Sequence, residues 1–201
     1  MNWKTTRASL LSRVRDIQDD GAWQEFDAVY GELLLRYGRR RGLSLADAED
    51  VRQIVLLSLS RTLPNFEFRP ERGRFRGYLG RTLRNAIFRY RTSPKSSLPS
   101  LVSSLEDVGE IETDGADSEH DPVWEEEWRN HHLRQAFETV AEHHDEQSVN
   151  VFRRLLSGVT VGDLADESGL STDAIYKIKQ RIRDRLRTVL AEQIAAEDGE
   201  N

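Results

Sequence analysis

The sequence predicts an all-α protein: two small helical domains joined by a flexible acidic linker, with a helix-turn-helix in the second. Three observations predict it. Apolar residues recur at helical spacing over most of the chain, and alternating strand patterns are nearly absent. That periodicity stops at Thr92 and returns after Pro122, with Ser, Pro, Gly and acidic residues between. Near the C-terminus a short capped helix, a glycine and a long capped helix follow in the order that a helix-turn-helix requires. The boundaries expected are a first domain over residues 1–91, a linker over 92–121 and a second domain over 122–201.

The elements follow in order. A short helix is expected over about Arg7 to Asp16. A second runs from about Ala22 to Arg41, with Trp23, Phe26, Val29/Tyr30, Leu33/Leu34 and Tyr37 on one stripe. A third starts at Ser44, which can cap it, with Asp47 three residues on as in a capping box. Its inner stripe is Ala48, Val51, Val55, Leu59 and Leu63, and Pro64 stops it. A loop leads to a fourth helix, Phe75 to about Tyr90, whose inward positions are Phe75, Tyr78/Leu79, Leu83, Ile87 and Tyr90. Beyond the linker, helices are expected over Val123 to about His143 and Glu146 to Leu156. Thr160 caps the next, with Asp163 three residues on and Val161, Leu164 and Ala165 inward. Gly169 breaks that helix, Leu170 plugs the turn, and Ser171 caps a final helix reaching about Ala195. It buries Ile175, Ile178, Ile182 and Leu186, leaving Thr172, Asp173, Tyr176, Lys177, Gln180 and Arg181 exposed.

Composition excludes several function classes. Across 201 residues, 37% are apolar and 32% charged, which suits small helical domains with much surface. There is no cysteine, hence no disulfide framework and no thiolate metal site, and a reducing cytoplasm is expected. No apolar run reaches membrane-spanning length, and the first residues lack the core of a signal peptide. His131/His132 and His143/His144 lie twelve residues apart on one predicted helix. That is roughly 18 Å, too far for one ion. They are expected to be exposed helix histidines, with no metal and no cofactor. The glutamates of "WEEEW", Trp124 to Trp128, are expected to be exposed and to favour a helix start. No phosphate loop or catalytic grouping stands out, and no enzymatic activity is expected.

Charge is the informative signal. The chain carries a net −6, yet residues 1–91 hold 18 basic and 11 acidic side chains, a net of +7. Eleven acids and no Lys or Arg fall in residues 105–127. Eight arginines fall between Arg69 and Arg91 with one acid, Glu71, and aromatic rings are interleaved among them. Solvated faces usually mix signs to limit self-repulsion, and this stretch does not. Arginines neutralise phosphates, and rings and guanidinium planes stack on unpaired bases. The stretch therefore suits opened DNA better than a closed groove. Six bases and one acid between Lys177 and Arg187 suit a duplex major groove, the first helical turns meeting base edges while the bases hold phosphates.

Three segments carry a family resemblance: "DAEDVRQIV" (Asp47 to Val55), "LPNFEFRPERGRFRGYLGRTLRNAI" (Leu63 to Ile87) and "STDAIYKIKQRIRDRLR" (Ser171 to Arg187). The chain resembles bacterial extracytoplasmic-function sigma factors, the small promoter-recognition subunits of RNA polymerase, and most of all forms common in planctomycete-like bacteria. The resemblance implies that the first domain is sigma region 2 and the last sigma region 4. It implies polymerase docking by Asp47, Glu49, Asp50 and Gln53. It implies −10 recognition by Arg74, Arg76, Tyr78, Arg81, Arg84, Asn85 and Arg89, with the arginines on phosphates and Tyr78 and Asn85 at an exposed base. It implies −35 recognition by Ser171, Thr172, Asp173, Tyr176, Lys177, Gln180 and Arg181. Two positions depart from the family pattern: Ile54 stands where an acid usually follows the glutamine, and Arg89 where an aspartate is usual.

The function so implied is promoter-directed transcription initiation in the cytoplasm. The partners are core RNA polymerase, promoter DNA and, in some members of such a family, an anti-sigma protein. The free chain is expected to be monomeric and away from membranes. Residues 105–127 are further expected to fold back over the basic patches in the free protein. Two other readings stay open at this stage. One is a conventional helix-turn-helix regulator that dimerises through its N-terminal helices. The other is a helical adaptor that has lost promoter function.

Overall fold

A computed structural model describes residues 6–65, 75–92 and 121–198. Among them the protein is all-α, with helices α1 (Thr6–Arg13), α2 (Asp20–Arg40), α3 (Leu45–Thr62), α4 (Phe75–Thr92), α5 (Pro122–Ala141), α6 (Glu146–Leu156), α7 (Val161–Ser168) and α8 (Thr172–Asp198), plus a 3-10 turn at Leu63–Asn65. The chain forms two compact units that divide between Trp128 and Arg129. Helix α5 thus gives its first residues to the first unit, seven positions beyond the boundary expected at Pro122. The loop after Asn65, Arg74 and the expected linker up to His120 lie outside the described residues.

The helix starts of the first unit are set by local chemistry. Asp19 accepts the Ala22 N–H at 2.8 Å and begins α2, and Arg13 braces that cap by pairing with Asp19 and Glu25. Ser44 begins α3 by accepting the Asp47 N–H at 3.1 Å while its hydroxyl donates to the Asp47 carboxylate at 2.6 Å. The turn between them is tight: the Leu43 N–H donates to Gly38 O at 3.1 Å. Once formed, the stripes bury Phe26, Tyr30, Leu33, Leu34 and Tyr37 from α2 and Val51, Ile54, Val55 and Leu59 from α3. Helix α4 adds Phe75, Leu79, Leu83, Ala86 and Ile87. Phe26 joins α2 to α4, its ring edge-on to Phe75 at 6.1 Å. Each such side chain contributes about 1.5–3 kcal/mol by leaving water. Ile54, the departure from the family pattern, is 2% exposed and belongs to this core.

In the second unit Asp145 caps α6 by accepting the Ser148 N–H at 2.7 Å. Thr160 caps α7, accepting the Asp163 N–H at 3.2 Å. Gly169 follows α7 with φ +69°, the left-handed conformation that side-chain-bearing residues adopt at a cost. Ser171 then accepts the Ala174 N–H at 3.2 Å as α8 begins. Val151, Leu164 and Ile175 pack together, with Leu170 against them in the turn. A second cluster joins Ala136 and Val140 of α5 to Phe152 of α6 and Ile182, Leu186 and Val189 of α8.

Two expectations need correction. His131 and His132 are buried, at 3% and 6% exposure, not exposed. His132 lies at four-residue spacing from Ala136 and Val140, so it continues the stripe that faces α8, where its Nδ1 lies 3.3 Å from Gln193 Oε1. Glu127 is likewise buried at 5%, because Trp124 and Trp128 on either side are drawn into the first core and carry it with them.

Candidate nucleic-acid interface

Helix α4 contains no acidic residue, so all of its charge is positive. Beside the positions that face α2 and α3 it carries two further stripes. The first runs through Arg81, Asn85, Phe88 and Thr92, spaced by three or four residues and therefore on one face. Arg81 is exposed, Asn85 half-buried and Phe88 63% exposed. An aromatic ring left in water one turn beyond an amide and two beyond an arginine has both ingredients for holding an unpaired nucleotide: a π-face, and hydrogen-bonding groups on the same face. The sequence reading missed Phe88. Its spacing from Arg81 and Asn85 was the available signal.

The second stripe runs through Arg76, Gly80 and Arg84, and the start of α5 lies over it. Asp121 caps α5, accepting the N–H groups of Val123 at 3.0 Å and Trp124 at 3.2 Å. The same carboxylate accepts from the Tyr37 hydroxyl and the Arg41 guanidinium, each at 2.5 Å, and lies 3.7 Å from Arg84 Nη1. Burial alone would raise the Asp121 pKa. The hydrogen bonds from Tyr37, Arg41 and the Trp124 N–H outweigh it and leave the carboxyl below its ordinary range. Tyr37 is pushed up to about 12, by burial first and by its bond to Asp121 second. Glu125 pairs with Arg76, and Arg40 reaches Glu126 at 2.7 Å and Glu127 at 3.0 Å. Trp124 meets Tyr37 edge-to-face at 5.4 Å, and Trp128 stacks on Tyr30 at 6.2 Å with the Arg76 guanidinium 5.5 Å from its ring. Gly80 makes this possible, because a Cβ there would stand 2.7 Å from the indole of Trp124.

Other residues singled out from the sequence are placed as follows. The Tyr78 ring packs against the first core, and its hydroxyl lies 2.6 Å from Thr62 Oγ1; burial first of all raises its pKa. Arg89 is half-buried. Tyr90, next to it, lies 2.9 Å from an Asp47 oxygen and 2.8 Å from an Asp50 oxygen, its one proton donated between them. Burial and these two carboxylates hold the phenol strongly in its protonated form. Two of the four acidic-edge residues are therefore tied to α4, while Glu49 and Gln53 are exposed.

In the second unit Ser171, Thr172, Asp173, Tyr176, Lys177, Gln180 and Arg181 are all exposed. Gln180 donates to Asp184 at 2.7 Å. Arg181 donates to Ser148 Oγ at 3.1 Å and lies 3.8 Å from Asp145, so it is held at the first turn of α6. Among the described residues no group of His, Asp or Glu is placed to hold a metal ion, and no helix is long and apolar enough to cross a membrane.

Residues 28–96 match the family model for Sigma-70 region 2, a span that takes in most of α2 and all of α3 and α4. No curated protein matches the chain.

Proposed function

We propose that this chain, which carries a sigma-70 region 2 over residues 28–96, is an alternative RNA polymerase sigma factor of the extracytoplasmic-function type. The observation that carries the proposal is the coincidence of that match with α4, an acid-free helix with an exposed arginine, amide and aromatic stripe. In this reading the first unit docks on core polymerase through the acidic edge of α3 and handles the −10 region through α4. Glu49 and Gln53 meet the polymerase directly, whereas Asp47 and Asp50 also hold Tyr90 and so fix the angle between docking and reading helices. Arg81, Asn85 and Arg89, with Phe88 added, contact the opened strand; Arg74, Arg76 and Arg84 hold its phosphates. Tyr78, packed on the core, supports α4 from behind.

The second unit acts as region 4, reading the −35 element as duplex. Thr172, Asp173, Tyr176 and Lys177 lie in the first turns of α8 and reach base edges; Ser171, Gln180 and Arg181 steady the helix and its phosphate contacts. The protein works as a monomer in the cytoplasm, an anti-sigma protein is a further partner, and the polymerase performs all covalent chemistry. Core polymerase capture followed by run-off transcription tests the reading. The chain should retain core polymerase and yield a defined transcript, and Glu49→Lys with Gln53→Lys should weaken capture by about tenfold through like-charge contact. Duplex binding without polymerase capture would point to an ordinary repressor or activator.

A further inference from the structure

The segment from Asp121 to Trp128 reads chemically like a short stretch of nucleic acid. Four carboxylates, those of Asp121, Glu125, Glu126 and Glu127, are each engaged by an arginine of the first unit. Carboxylate and phosphate oxygens are both anionic, acceptor-only groups, and a guanidinium fork accepts either. Two flat rings flank the glutamates and lie against the unit: Trp124 on the bare backbone of Gly80 and edge-to-face with Tyr37, Trp128 stacked on Tyr30. These are the surfaces on which a nucleobase would stack.

An ordinary helix start needs one cap and a mixed-sign face. Here the cap residue itself reaches Tyr37, Arg41 and Arg84, and α4 has no acid of its own to balance Arg76 and Arg84. The placement of Gly80 also matters: a glycine inside a helix costs about 1 kcal/mol against alanine, and here the indole of Trp124 lies on the space left by the missing Cβ.

We infer that Arg40, Arg41, Arg76 and Arg84, with Gly80, Tyr30 and Tyr37, form a second binding surface for a single DNA strand, and that Asp121–Trp128 is its resident competitor. This rests on the reading of α4 as a helix that handles opened DNA. The exposed Arg81–Phe88 stripe is available in the free protein. The covered stripe becomes available when the α5 start leaves, so strand binding and release of the segment are one equilibrium.

Two variants of the full chain test this by different routes. Glu125→Gln with Glu126→Gln weakens the competitor and leaves every arginine in place. Gly80→Ala crowds the indole sterically, and the helix propensity it adds to α4 offsets part of the cost of moving a core ring. The probe is a fluorescein-labelled single-stranded oligonucleotide followed by anisotropy over a salt series, with acrylamide quenching of tryptophan fluorescence reporting release. Both variants should bind the strand about tenfold more tightly than the parent, from two lost surface ion pairs or one lost ring contact. Their log–log salt slopes should steepen, by about 0.7 for each phosphate newly held. Affinity and slope unchanged in both variants overturn the inference, whether or not quenching shows the segment released. Arg81→Ala separates this from the broader reading: if it leaves strand binding by the parent untouched and run-off transcription is absent, the sigma-factor reading fails as well. If run-off succeeds while both variants behave like the parent, only the competitor is lost.

Discussion

Asp121 gathers Tyr37, Arg41 and two N–H groups of α5 on one carboxylate, and its protonation is a handle on them. Its pKa is lowered in the folded protein, so its contribution is fully present above the unfolded value of about 3.9 and is lost as pH falls through the folded one. Asp121→Asn should therefore lower stability to urea at pH 6, and its difference from the parent should shrink as pH falls through the lowered folded value. Phe88 is the opposite kind of residue. At 63% exposure it adds little to the fold, so Phe88→Ala should leave thermal unfolding unchanged. The same change should weaken single-strand binding by about 1–3 kcal/mol, read by anisotropy, if a base stacks on the ring. The role of Phe88 was legible only through its spacing from Arg81 and Asn85, and that of Asp121 not at all. Asp121 looked like the last acid of a linker, because its partners Tyr37 and Arg41 stand some eighty positions away and no local pattern links them.

Among the elements, legibility was high wherever the determinant is local. Ser44, Thr160 and Ser171 were readable as helix starts because a cap acts over three residues, and each accepts the N–H expected of it. The stripes of α2, α3 and α8 were readable because burial on one face leaves a 3.6-residue period. Helix α5 was not, since different faces of it are buried along its length: Trp124 and Trp128 in one core, Ala136 and Val140 in another. The four-residue spacing runs on through His132, but polar side chains at or beside it, His131, His132 and Glu127, pass for solvent positions. The turn into α8 gives a sharper test. Gly169→Ala forces a side chain into the left-handed region and should cost about 1–2 kcal/mol, seen as a lower midpoint for the second unit by thermal circular dichroism.

For the whole molecule, the charge partition mattered more than its sum. A net of −6 would forecast repulsion from DNA, whereas residues 1–91 alone are at +7 and the acids cluster at 105–127. Of those acids, Asp121 and the three glutamates after Trp124 each pair with an arginine of the first unit. The rest of that stretch lies outside the described residues. What composition could not supply was the address: which arginines are engaged and which stripe of α4 stays open. That choice follows from how α5 meets α2 and α4, a matter of packing between segments far apart in the chain.

Gly80 and Trp124 carry one more implication, for descent. No side chain fits at position 80 while an indole occupies the space above it, and the indole has no flat floor if position 80 grows. Either change alone is penalised, so lineages should exchange the two together. Related chains with a side chain at position 80 should lack the tryptophan, and those keeping the tryptophan should keep the glycine. The pair should then descend as a single character written at two addresses.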